Sequence, residues 1–464
     1  MRKFLVQLVL LLLAVNTGIV LAGARRVVSK KNIVSIDSTA VIQESITASP
    51  DGRTVAYVGR SASTQYLVLQ GKKQKEYDGV GTAGAVFSPD GKRVAYLVRD
   101  GYKYRVVGSD GQGKLYDGLG SAPVFSPDGK HLAYVAIVGD KQCMVVDGKQ
   151  HKLYDGIGAA GPIFSPNSIR VAYVAKEGER YAVVVDGKEG RWYQTVGVRT
   201  VVFSPNSVRV AYVVASGDSI FVVSDGKELR KYGANLELPP VFSADGAHLA
   251  FVAAEDAKRI VVIDGKPTKA YDRIAERSLR FSSNGKKLAF IASERERWFV
   301  VVDGKEGTPY ESIGDNTLTF SADGSRTAYV AIKNDKRFVV SDGKEGAPYD
   351  AIPEGMPLLS SDGKHIAYLA QANGLWHIVV DGVEGRGYQN VKAGTLAISL
   401  KGNHVSCVVA SNDKMVVVVD GTEGIGFDVV MTRGVGKVLF DTATRFHYLA
   451  ANGNDVYLVE EEIK

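Results

Sequence analysis

The chain has 464 residues, 45% of them apolar and 23% charged, an ordinary globular composition that excludes a disordered polypeptide. Lys and Arg number 57 against 51 Asp and Glu, a formal net charge of +6, too small to argue for nucleic acid as a partner. Two cysteines, Cys143 and Cys407, exclude a disulfide framework. The 51 glycines against 14 prolines point to many tight turns.

Residues 1–24 combine a basic start (Arg2, Lys3), an apolar run from Phe4 to Val15 and Ala22-Gly23-Ala24. That order reads as a secretory signal peptide cleaved after Ala24 or Ala22. An uncleaved anchor is the other reading of Phe4–Ala22, and Asn16, Thr17 and Gly18 weaken it. No later apolar stretch approaches membrane length, so no transmembrane segment is expected after cleavage. The mature protein is expected in the periplasm or outside the cell, soluble or loosely held at a surface.

The segment NIVSIDSTAVIQES (32–45) carries spare strand-like sequence ahead of the first of about ten copies of one motif. ASPDGRTVAY (48–57) leads, followed by FSPDGKRVAY (87–96), FSPDGKHLAY (125–134), FSPNSIRVAY (164–173) and FSPNSVRVAY (203–212). FSADGAHLAF (242–251), FSSNGKKLAF (281–290), FSADGSRTAY (320–329) and LSSDGKHIAY (359–368) continue the series, and ISLKGNHVSC (398–407) begins its decay. The spacing from Phe87 onward is 39 residues except for one step of 38, and a degenerate last copy lies at 439–449. A second phrase, VVDGK followed by a Tyr such as Tyr154, Tyr193, Tyr310 or Tyr349, alternates with the first.

Each unit reads as four strands. Strand A is of the type AVFS (85–88), strand B of the type RVAYLV (93–98), strand C of the type YAVVVD (181–186), and a short strand D surrounds Tyr193. Asp-Gly and Asn-Gly at the joints are hairpin chemistry, because primed turns need positive φ. Strand B is apolar on both faces, so neighbouring units must cover it. The expected fold is all-β: a β-propeller of four-stranded blades of about 39 residues, ten to eleven of them. Residues 25–47 are expected to close the ring, with propeller repeats over 48–464. Ser-Pro gives way to other residues near Pro239-Pro240, a possible boundary of two half-rings or tandem propellers near 240. The unbroken spacing favours one large ring.

The phrase F-S-P-D-G-x-x-[VL]-A-[YF] resembles the WD-like repeat of TolB-type propellers, also seen in the propellers of dipeptidyl-peptidase relatives. The resemblance covers nearly the whole mature chain and implies the fold and an exported binding platform, not one activity. The repeats start by Ala48, where TolB-type proteins place a separate α/β domain first. No G-x-S-x-G of a peptidase domain occurs.

On the face of the A–B and C–D turns lies a column of bases: Arg93, His131, Arg170, Arg209, His248, Lys287, Arg326, His365 and His404. They are expected to pair with turn aspartates such as Asp90, Asp147 and Asp186 rather than to bind polyanions. The B–C and D–A loops, SERERW (293–298), QANGLW (371–376), GANLELPP (233–240), RIAERSL (273–279), GDNTL (314–318) and PEGMP (353–357), differ between copies, so the fold does not demand these residues. That makes their face the expected recognition surface. Five residues before the strand A apolar position stand Glu237, Glu276, Asp315 and Glu354 in four successive copies, with Arg199, Arg277 and Arg280 nearby and Trp298 and Trp376 opening strand C. These are the binding candidates, set against solvated acids and packed indoles. No catalytic residue, metal site or cofactor is assigned, since H-E-x-x-H and EF-hand patterns are absent. Cys143 and Cys407 are expected as buried free thiols. The expected function is a non-enzymatic scaffold for a protein or cell-envelope component; the alternatives are a propeller hydrolase or lyase acting on a glycan, or a lectin-like module.

Overall fold

The computed structural model describes residues 25–464 apart from Ser38, Ala83, 230–232, Leu236, Ala393, Leu400 and 432–437; the signal peptide reading of residues 1–24 lies outside the described residues. Every regular element among the described residues is a β-strand, so they contain no helix long and apolar enough to cross a membrane. Eleven antiparallel sheets follow one another as the blades of a single propeller.

Blade 1 is built from Val41–Ala48, Val55–Ser61, Thr64–Leu69 and Lys72–Tyr77. Blade 4 shows the common pattern: Gly156–Ile157 with Ile163–Phe164, then Val171–Glu177, Arg180–Val185 and Lys188–Tyr193. The first two pieces pair with the same neighbour, Gly156 opposite Lys176 and Phe164 opposite Val171. They are therefore one innermost strand interrupted by residues 158–162. This corrects the strand boundaries read from the sequence. The strand begins two residues after the Tyr of the preceding blade, and the segment taken for a D–A loop is a bulge inside strand A. Nine of the eleven sheets show the interrupted strand.

A wide bulge leaves the amides of strand B opposite it without ladder partners. A hydroxyl supplies the missing acceptor. Thr317 Oγ1 accepts the Val330 amide at 3.1 Å and donates to the Gly314 carbonyl at 2.7 Å. Ser45, Thr200, Ser278 and Thr395 do the same in their blades. A buried backbone group left unpaired would cost about 1–3 kcal/mol, which is reason enough for the bulge to carry Ser or Thr.

Between blades the core is aromatic and aliphatic. The strand D Tyr of one blade meets the strand B aromatic of the next edge-on, as in Tyr349–Tyr368 at 6.0 Å and Tyr271–Phe290 at 5.8 Å. In blades 1 to 9 strand B carries a fully buried Ala beside its aromatic, such as Ala172 or Ala367, so a small face meets the next blade's strand C. One apolar cluster joins Val213 and Val222 to Phe242 and Phe251 across residue 240. Cys143 and Cys407 are buried free thiols.

The ring closes in blade 11. Arg26–Ser35 lies antiparallel to Asp455–Ile463 as the outermost strand of that sheet, Arg26 opposite Ile463 and Ser35 opposite Asp455. Val34, Leu449 and Val456 of blade 11 share a cluster with Val55, Tyr57 and Val68 of blade 1.

Candidate functional site

The two faces are built differently. On the turn face, the first serine of each motif is buried and organises its own turn. The Ser126 hydroxyl donates to Asp128 at 2.6 Å, and its oxygen accepts the His131 amide at 3.0 Å. With the Lys130 amide adding a second donor, the Asp128 carboxyl is held down at about 2. At the same end of strand B, the Asp of the C–D turn takes positive φ, 54° at Asp186, and accepts the Val171 amide at 3.0 Å. Asp is among the few side chains that tolerate this conformation, and Gly follows it.

The column of bases pairs with these C–D turn acids. Arg170, Arg209 and Arg326 meet Asp186, Asp225 and Asp342, each at 2.9 Å. His131, His365 and His404 meet Asp147, Asp381 and Asp420 at 2.6–2.7 Å. The Asp264 carboxylate, 2.6 Å away, raises the His248 imidazole above its ordinary value. The arginines also reach the next blade, Arg326 donating to the carbonyls of Gly363 and Lys364. Asp90, named with the other turn acids, instead faces its own turn and Lys92. The arginines, and Lys287 through the Ser325 carbonyl at 2.8 Å, thus clamp neighbouring blades, whereas the histidines pair within their own blade.

A different set of cations on the same face is unengaged. Lys72, Lys149, Lys188, Lys227, Lys266, Lys305 and Lys344, each just after a C–D turn glycine, are exposed and have no ion-pair partner among the described residues. The motif VVDGK contained this signal, but only the fold shows that its exposed lysine makes no ion pair with the acids among the described residues.

On the opposite face, the Asp that follows the strand D Tyr in five blades (Asp78, Asp117, Asp155, Asp272 and Asp350) ties two blades. Asp155 accepts the Gly178 amide of the next B–C turn at 2.7 Å while Lys141 of its own blade sits 3.2 Å away; these two hold its carboxyl below the usual range. Asp272 repeats the tie with Arg295 at 2.8 Å and Lys258 at 3.3 Å. Sequence reading missed this role, although the recurrent Tyr-Asp dipeptide is its signal.

Between the faces, the bulges line the central opening. Glu237, Glu276, Asp315 and Glu354 are exposed on the bulges of blades 6 to 9. Glu276, Arg277, Trp298 and Asp315 line a cleft of about 640 Å³, together with Arg259 and Arg273. Glu237 lines a second cleft of about 400 Å³, which shares Arg259, Ile274 and Glu276 with the first. Three of the four carboxylates therefore fall on adjoining clefts, and Glu354 lines neither.

The third bulge residue takes positive φ: 76° at Gly355, 77° at Gly394 and 56° at Asn316, but also 61° at Arg199 and 58° at Arg277. An exposed arginine there carries strain that the glycines avoid. Arg199 lines a more apolar cleft of about 300 Å³ with Ile157, Tyr181 and Val198. Arg280 turns inward instead. It donates to the carbonyls of Leu318 and Arg277, bracing the bulge of blade 7 against that of blade 8, and burial pulls its guanidinium below its ordinary value. Trp298 and Trp376 are half-buried, each packed against its own apolar cluster. Trp192 lies 6.5 Å from Tyr154. Among the described residues no group of three or more His, Cys, Asp and Glu side chains is placed to hold a metal ion.

No protein-family model matches the chain, and no curated protein matches it in sequence. Solved structures resemble it in fold. A eukaryotic initiation factor aligns at 12% identity and a TM-score of 0.41, over 80% of this chain and 95% of that one. TolB from Acinetobacter baumannii aligns at 15% and 0.23, over 56% and 77%. A protein described as a dipeptidyl aminopeptidase IV from Bacteroides ovatus aligns at 12% and 0.34, over 74% and 65%. At such scores the likeness carries no functional argument.

Proposed function

We propose that this chain is an exported, non-enzymatic β-propeller platform that binds a protein or cell-envelope component through the bulges and clefts of blades 5 to 9. The observation that carries this reading is the clustering of exposed Glu237, Glu276 and Asp315 with Arg277 on adjoining clefts. The equivalent bulge positions of blades 2, 4 and 5 carry Thr82, Ala159 and Val198, and the bulge of blade 1 carries an acid one residue later, Glu44. The scaffold does not need these charges, and the αL arginines cost it stability. Rigid blades with divergent inward bulges are a scaffold-and-loop division of labour.

The test is crosslinking capture from the native envelope with the chain from residue 25 onward, beside a variant carrying Glu237→Gln, Glu276→Gln, Asp315→Asn and Glu354→Gln. A discrete protein retained by the wild type and lost by the variant is the expected result. Equal capture by both would move recognition away from these bulges. A second reading rests on Glu276 and Asp315 lining one cleft, since a pair of carboxylates across a cavity is the minimum set for glycoside hydrolysis. It requires turnover of a glycan that Glu276→Gln alone abolishes.

A further inference from the structure

The turn face departs from its own repeat in two adjacent places. At the A–B turns of blades 4 and 5 stand Ile169 and Val208, 80% and 70% exposed, where other copies have Lys92, Lys130, Lys286 and Lys364. In both turns the acid of Asp90 and Asp128 is replaced by Asn167 and Asn206. The Asn side chains still hold their turns, Ser165 and Ser204 donating to them at 2.8 and 2.6 Å. The exchange therefore removes negative charge without altering the turn. Val208 lines a groove of about 440 Å³ with Lys188 of the preceding blade, and the Val208 carbonyl accepts from Arg170 at 2.8 Å. Two aliphatic tips thus project from a sector that has lost its A–B turn acids, whose C–D turn acids Asp186 and Asp225 are paired with Arg170 and Arg209, and which keeps unpaired Lys188 and Lys227.

We propose that this face is a docking surface for an anionic lipid bilayer, with Ile169 and Val208 entering the headgroup boundary and the turn lysines facing the lipid phosphates. Singly exposed aliphatics need no partner, but these two stand on neighbouring turns at the place where other copies carry lysine. The charge pattern selects the partner. A protein epitope would call for cations gathered at one spot, whereas here unpaired lysines recur on seven of the eleven blades across one face. That distribution complements a laterally uniform negative field, the condition for polybasic attraction to anionic leaflets. Apolar insertion and electrostatic attraction together give stable peripheral attachment where either alone is marginal. The bulges and the opposite face stay free for recognition.

The experiment is co-sedimentation of residues 25–464, which form the closed ring, with vesicles of phosphatidylglycerol and phosphatidylcholine or of phosphatidylcholine alone. Binding is expected on the anionic vesicles only, falling as salt is raised. Ile169→Asn with Val208→Asn is expected to weaken it at least about tenfold. Lys188→Gln or Lys227→Gln is expected to weaken it about fivefold each. Lys31→Glu, on the outer strand of blade 11, is expected to leave it unchanged. All replaced side chains are exposed, so the Tm should not move. Three results overturn the proposal: no binding to anionic vesicles, equal binding by the Ile169/Val208 variant, or equal loss in the Lys31 variant. Capture of a protein through Ile169 and Val208 without vesicle binding belongs to the first of these.

Discussion

The interfaces between consecutive blades and the one that closes the ring solve the same packing problem with different chemistry. An ordinary interface joins two nearly identical sheets by edge-on aromatics such as Tyr349–Tyr368 and by an arginine clamp that stays partly in water. The closing blade instead holds its outer strand with a buried ion pair, Arg26 to Glu461 at 3.2 Å with side chains 4% and 0% exposed. Tyr448 donates to Glu461 at 2.7 Å, and Arg26 also reaches the Thr422 carbonyl of blade 10 at 3.1 Å. At the seam with blade 1, His447 replaces the small Ala of other strand B copies and contacts Asp441 at 2.8 Å and the Asp51 carbonyl at 2.5 Å. Apolar burial is indifferent to which copy meets which, so a ring of look-alike repeats needs one joint that is chemically unlike the rest. A buried charge pair is a costly but register-specific device.

The largest test of this contrast is Arg26→Met. It leaves Glu461 buried without its counter-charge and is expected to cost about 3–5 kcal/mol in urea unfolding. Arg26→Met with Glu461→Met should recover most of that loss, with closure less specific. Equal, small effects from both would reduce the joint to ordinary packing.

An ordinary blade is broken more gently. Thr317→Val keeps the shape but leaves the Val330 amide without its acceptor, for an expected loss of about 1–3 kcal/mol by thermal unfolding. Wild-type stability in that variant would show that the bulge is not held by its hydroxyl.

Acid should separate the two kinds of joint by sign. Asp128 and Asp323 lie at about 2, held down by Ser126 and Ser321 first and by turn amides next. Their folded values are below those of a free carboxylate. Their contribution is therefore complete above about pH 4 and is lost as pH falls toward 2. Glu461 behaves oppositely, because burial outweighs Arg26 and holds its carboxyl above the ordinary range. Its protonation favours the folded state as pH falls through that raised value. Hydrogen exchange should show the Lys130 and Ser325 amides opening in acid before the Arg26–Ser35 strand; the reverse order would contradict the assignment.

The smallest effect expected is a gain. Arg277→Gly relieves the positive φ and should stabilise the chain by about 0.5 kcal/mol, the αL relief exceeding the entropy cost of glycine. The same change should weaken partner capture. Stabilisation without loss of capture would remove Arg277 from the site.

Much of this was legible in the repeat. Period, turn chemistry and two-sided apolar strands point to blades, because each depends on neighbours a few residues away in sequence. The pairing of the Arg170 column with turn acids was legible for the same reason, since strand B brings them to one end. The bulge was not. GANLELPP and RIAERSL read as loops, because nothing local reveals that Gly233–Ala234 pairs with the same strand as Val241–Phe242. The Tyr-Asp tie and the unpaired turn lysines were equally hidden, as their partners, or lack of them, lie on another turn or another blade.

By itself, then, the sequence determined an all-β repeat whose copies must stack, because hydrophobic period and Asp-Gly turns act through local backbone preference. The sequence also led to the expectation that residues 25–47 close a ring of ten to eleven blades; only the tertiary structure decided on eleven, gave Arg26–Ser35 to the last sheet and Val41–Ala48 to the first, and set three of four carboxylates on adjoining clefts. Those outcomes depend on the angle at which one sheet packs on the next, summed round a ring. No single copy of the motif contains that sum.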